Sequence, residues 1–181
     1  MVAFFPRQTV EWRLEEPPVI RRMVLGLGAM AVVAGVAIRL YRWLMLSAGH
    51  GTSGWFLLAT YAGETLILLA LATAHLGNYP VKHWLWRAPL FGLSVGATEA
   101  AVSALLIAAR LERLGTDYAH GHDWASIAQS ALLIDTVVVS IFAVILAGVV
   151  QVVRYALLKH EDRAHTAQAI HEDHVRHPDT P

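Results

Sequence analysis

The stretch PLFGLSVGATEAAVSALLIAA, residues 89–109, is apolar or small from end to end except for one charged side chain, Glu99. About 20 such residues in an α-helix cross the hydrocarbon core of a bilayer, so the stretch reads as a transmembrane helix. A carboxylate at the centre of such a helix costs roughly 2.5–3.5 kcal/mol on insertion scales, and something must offset that. The same stretch places a small residue at every fourth position: Gly92, Gly96, Ala100, Ala104 and Ala108. This spacing lets a second helix approach closely in a membrane. At 100° per residue Glu99 lies on one face with Gly92, Gly96 and Ser103, so it is expected to point into a helix contact and away from lipid.

Working outward, three further runs have the same character. The spans are expected at about 23–46, 55–75, 89–109 and 125–153, within a transmembrane domain over 23–155. Composition agrees: apolar residues make up 56% of the chain and charged residues 15%, against about 25% charged in soluble domains. Trp43, Trp55, Trp84, Trp86 and Trp124, with Tyr41, Tyr79 and Tyr155, stand at the expected boundaries, where aromatic belts form. The connections are short, which favours antiparallel neighbours. The fold expected is an all-α integral membrane protein, a four-helix antiparallel bundle.

The distribution of Lys and Arg orients it. Arg7, Arg13, Arg21, Arg22, Lys82, Arg87, Arg154, Lys159, Arg163 and Arg176 fall on one side, and only Arg39, Arg42, Arg110 and Arg113 on the other. The positive-inside rule then places both termini in the cytoplasm. An N-terminal tail over 1–22 is expected to lie partly at the interface, and a His-rich tail over 156–181 to be cytoplasmic. Arg21 and Arg22 before an apolar run resemble the start of a signal peptide, but no small-x-small cleavage site follows, so the first span reads as a retained anchor. The location expected is a cell membrane, taken as the bacterial cytoplasmic membrane.

Two more acids share the depth of Glu99. At 1.5 Å per residue, Glu64 lies about 13–14 Å below the outer end of its helix, and Glu99 and Asp135 about 15 Å. Arg39 reads as nearer the outer surface, so no cation is expected at this level and some of the acids are expected to be neutral. Glu64 shares its face with Thr60, Tyr61 and His75; Thr60 and Tyr61, one turn away, are its expected hydrogen-bond partners. Asp135 is offset by roughly 100° from a polar stripe of Gln129, Thr136, Ser140 and Gln151. The first span carries a shorter small-residue face in Gly28, Ala31 and Gly35.

Other constellations carry less. Asp117, His120, His122 and Asp123 in the outer loop offer nitrogen and oxygen ligands to a divalent metal, though their spacing is not a zinc signature. His160-Glu161-Asp162 recurs as His171-Glu172-Asp173, eleven residues on, so a helix would stack both copies on one face. Histidines lie in loops or at span ends, which disfavours haem ligation, and no phosphate-binding loop or nucleophile elbow is present. Zero net charge gives no electrostatic footprint for nucleic acid, and the absence of cysteine excludes disulfides and thiolate metal sites. No cofactor and no catalysis are expected. The function expected is a non-catalytic accessory or scaffolding subunit of a larger membrane complex, contacting other subunits or its own copies through small-residue faces. The alternative is a small transporter or channel coupled to protons or cations through Glu64, Glu99, Asp135 and Tyr61.

Overall fold

The computed structural model describes residues 26–48 and 53–176, with side chains through Leu157 and at Lys159. The expected N-terminal tail, residues 49–52 of the Gly-rich turn, residues 177–181 and the side chains of the His-Glu-Asp repeats lie outside that set. Among the described residues there are four α-helices: α1 Leu27–Ala48, α2 Gly54–Leu76, α3 Trp84–Ala108 and α4 Trp124–Arg176. All four are long and apolar enough to cross a membrane. A 3-10 turn, Val81–His83, precedes α3. Between α3 and α4 the chain forms a small antiparallel hairpin, β1 Arg113–Leu114 with β2 Asp117–Tyr118, then a 3-10 turn at Gly121–Asp123.

Local chemistry accounts for the helix ends. Ser53 caps α2 by accepting from the Phe56 N–H at 3.3 Å. The third helix begins at Trp84, earlier than the expected start at residue 89, and Pro89 sits in its second turn. There the missing N–H removes one bond, to the Leu85 carbonyl, and the helix continues. Trp84 is not a belt residue: it is 2% exposed, and its indole N–H donates to the carbonyls of Leu76 and Tyr79 at 2.9 and 3.0 Å, tying the α2–α3 turn. At the far end of α3, Arg110 takes a left-handed φ of 56° and the Leu111 N–H returns to the Leu106 carbonyl at 2.8 Å. That is the backbone pattern which ends helices with a bond five residues back.

Residues through Val144 form one compact unit, and Ile145–Pro181 a second. In the first, α1 packs chiefly on α3 and then on α2. Ala31, Ala34, Ile38, Ala72, Leu76, Phe91, Val95 and Val139 are closed off completely. Val32, Leu58, Leu66, Leu93, Leu105, Ile134 and Ile141 face outward. Large aliphatics outside and charged groups inside is the arrangement that lipid favours. The second unit is helical to Arg176, so its backbone keeps His160 and His171 three helical turns apart.

Candidate functional site

Among the described residues, eight polar or charged ones are buried: Arg39, Thr60, Glu64, His75, Glu99, Ser103, Glu112 and Asp135. Six of them, with Arg42, come together in the half of the bundle where α1 ends and α2 begins, beside the hairpin. Their meeting follows from helix register. Arg39 lies nine residues before the end of α1, and Glu99 nine before the end of α3, each about 13–14 Å along its helix. Glu64 is ten residues into α2 and Asp135 eleven into α4. The acids therefore do have cations at their depth, which corrects the sequence reading. That reading counted Arg39 and Arg42 with the flank charges and placed Arg39 nearer the outer surface, whereas α1 runs on to Ala48.

Two ion pairs frame the cluster. Arg39, 1% exposed, grips Glu112 with Nε donating to Oε2 at 3.1 Å and Nη2 paired with Oε1 at 2.8 Å. Ser103 closes this group, accepting from Arg39 Nη2 at 2.9 Å and donating to Glu112 Oε2 at 3.3 Å. Arg42 forms a second fork on Glu64, with Nε donating to Oε2 at 2.7 Å and Nη2 paired with Oε1. Tyr61 does not hydrogen-bond Glu64; its ring lies 5.3 Å from the Arg42 guanidinium carbon, a cation–π contact. Nor does Thr60, whose hydroxyl donates to the Phe56 carbonyl at 2.9 Å.

Between the two pairs stands Glu99, 1% exposed. Its Oε2 is 4.0 Å from Arg39 Nη1 and 3.9 Å from Arg42 Nη2, beyond direct hydrogen bonding. Across from it Asp135, 5% exposed, is a close neighbour of the Glu99 carboxyl, and neither Glu99 oxygen nor Asp135 Oδ2 has a hydrogen-bond partner among the described residues. The cluster thus sets four carboxyls against two guanidiniums, an excess of two negative charges when every acid is ionised.

The small-residue faces behave as close-packing surfaces in part. Gly92 and Gly96 bring α3 against α4 so closely that an added Cβ would stand 2.6 Å from the Asp135 carbonyl oxygen and 2.8 Å from that of Ala131. Ala100 continues the contact, its carbonyl accepting from the Trp124 indole at 2.9 Å. Ala104 is exposed and leaves the face. A four-residue repeat on a 3.6-residue helix turns about 40° per step, so the stripe has rotated away by then. On α1, Ala31 and Gly35 are buried, Gly35 against Val95 and Thr98 of α3, but Gly28 is exposed with nothing near it. The face expected to receive another subunit thus receives, at Gly92, Gly96 and Ala100, the chain's own fourth helix.

In the connection between α3 and α4, Asp117, His120, His122 and Asp123 do not converge on one point. Asp123 accepts from the His120 backbone N–H at 2.7 Å and pairs with His122 Nε2 at 3.2 Å, while the two imidazoles stack at 5.6 Å. Asp117 is held in the hairpin opposite Leu114. Among the described residues no three His, Asp or Glu side chains converge as metal ligands. No family model, curated protein or solved structure matches the chain.

Proposed function

We propose that this protein is a small membrane transporter or channel coupled to protons, with the Glu99–Asp135 pair as the group that takes up and releases them. The observation that supports this most is the charge balance of the buried cluster, four carboxyls against two guanidiniums at mid-helix depth. Ionisable residues inside spans are costly and mark proton or ion paths by default. A proton fits the cluster better than a metal cation does. A proton needs only one carboxyl oxygen, whereas among the described residues no three His, Asp or Glu side chains converge as metal ligands. In this reading the helices cross the membrane antiparallel with both termini cytoplasmic, which puts the cluster in the outer half of a cell membrane.

The accessory-subunit reading stands second. It draws on Gly28, Ala104 and Ala108, small residues left exposed for a neighbouring helix. Purified protein reconstituted alone in liposomes separates the two. Under an imposed pH gradient, with a small-carboxylate salt on both sides, the wild type should dissipate the gradient, and Glu99→Gln should slow this at least tenfold. An inert wild type, or a Glu99→Gln variant as fast as wild type, overturns the proton reading.

A further inference from the structure

Glu112 differs from the other acids of the cluster. Glu64, Glu99 and Asp135 are fixed on spans, but Glu112 comes from the short chain between α3 and the hairpin. Its backbone is held by the Glu112 N–H to the Leu106 carbonyl at 3.2 Å and by the Ala119 N–H to its own carbonyl at 3.0 Å. From there its carboxylate accepts hydrogen bonds at Oε2 from Arg39 Nε and the Ser103 hydroxyl, and its Oε1 is ion-paired with Arg39 Nη2 at 2.8 Å. All of these residues are 0–1% exposed. A planar guanidinium fork plus one hydroxyl is the donor arrangement that recognises a free carboxylate.

We propose that Arg39 and Ser103 form a binding pocket for a small carboxylate anion, occupied in this conformation by the chain's own Glu112. That carboxylate is the substrate moved with the proton; the coupling, though not the pocket, rests on the proton reading above. An acetate-sized anion can take over the two hydrogen bonds and the ion pair of Glu112 with no change in the charge of the cluster. The other face of the same guanidinium, Nη1, has no hydrogen-bond partner among the described residues and points at Glu99 Oε2, 4.0 Å away. Arg39 therefore stands between the substrate carboxylate and the proton-holding acids. A carboxylate and a proton moving together carry no net charge.

The test uses the full-length protein in nanodiscs, sodium acetate as the probe and sodium chloride as the control. Calorimetric titration reads binding, and hydrogen exchange of the amides over residues 110–119 reads the release of Glu112. In the wild type, saturating acetate should speed that exchange. A tethered competitor acts at an effective concentration of about millimolar or above, so Glu112→Ala should bind acetate at least tenfold tighter than the wild type. Adding Ser103→Ala to Glu112→Ala should weaken the binding again. Acetate binding by Glu112→Ala with no change of exchange in the wild type would mean a cavity made by the substitution, and overturns the proposal. So does equal binding with and without Ser103. If Glu112→Ala fails to fold, the wild-type exchange result decides alone. Lost acetate binding with intact proton flux sinks the pocket only; binding without flux sinks the proton reading and leaves the pocket.

Discussion

The two halves of the bundle are held together by different means. Near the hairpin, Arg39, Arg42, Glu64, Glu99 and Glu112 tie α1, α2, α3 and the segment before the hairpin together through ion pairs, and Asp135 of α4 is buried beside them. Near the α2–α3 turn the centre is Ala31, Ala34, Leu68, Ala72, Leu76, Phe91 and Val95, held chiefly by shape. Lipid is as apolar as those side chains, so the apolar half gains little from burial as such and relies on close packing. The charged half pays desolvation and recovers it only while each partner is present. The halves should therefore fail differently under substitution.

The largest effect is expected at Arg39. Arg39→Met leaves the Glu112 carboxylate buried without its cation, and breaking a buried pair from one side costs about 3–5 kcal/mol. Replacing both members, Arg39→Met with Glu112→Leu, should return most of that stability, because Ser103 can then bond the carbonyl of Glu99 one turn back. Reversible unfolding in mixed micelles measures both. A double variant no better than the single one would mean that Arg39 is held chiefly for Glu99 and not for Glu112.

How much of this was legible in the sequence depends on whether a feature lies along one helix or across several. Four spans, the burial of Glu99 and the close approach at Gly92 and Gly96 follow from periodicity within single segments. The pairing of Arg39 with Glu112 and Ser103 joins positions 73 and 64 residues apart, and no local pattern carries it. One signal was within reach: Arg39 and Arg42, three apart on a helix, share a face. Counted as flank charges they looked superficial, although the span was expected to run on to residue 46. Glu112 gave no signal, since a glutamate in a polar loop is ordinarily solvated.

A smaller effect tests the packing that joins the halves. Gly96→Ala drives a methyl group against the backbone of α4, 2.8 Å from the Ala131 carbonyl oxygen. Overpacking of this kind costs about 1–3 kcal/mol. Gly28→Ala, with open space around it, should be neutral or slightly stabilising through helix propensity. Equal losses at both sites in mixed-micelle unfolding would show that close approach of α3 to α4 is not what the glycine provides.

The smallest effect belongs to His75, the one polar side chain buried in the apolar half among the described residues of that half. Its ring stacks on Phe91 with centroids 4.9 Å apart and tilts against Tyr79 at 5.2 Å, while Arg87 covers the far side of Tyr79's neighbourhood with its guanidinium carbon 3.5 Å from that ring. Its Nε2 has no hydrogen-bond partner among the described residues, and a buried nitrogen left in that state costs about 1–3 kcal/mol. His75→Phe keeps the stack and removes the orphan atom, so it should leave stability unchanged or raise it by up to about 1 kcal/mol. Proton flux in liposomes should be unaffected, since the cluster lies eleven residues away along α2, about 16 Å from Glu64. A stable His75→Phe protein that has lost flux would place a titratable group of the apolar half on the proton's route. The division between a half that handles charge and a half that only packs would then have to be given up.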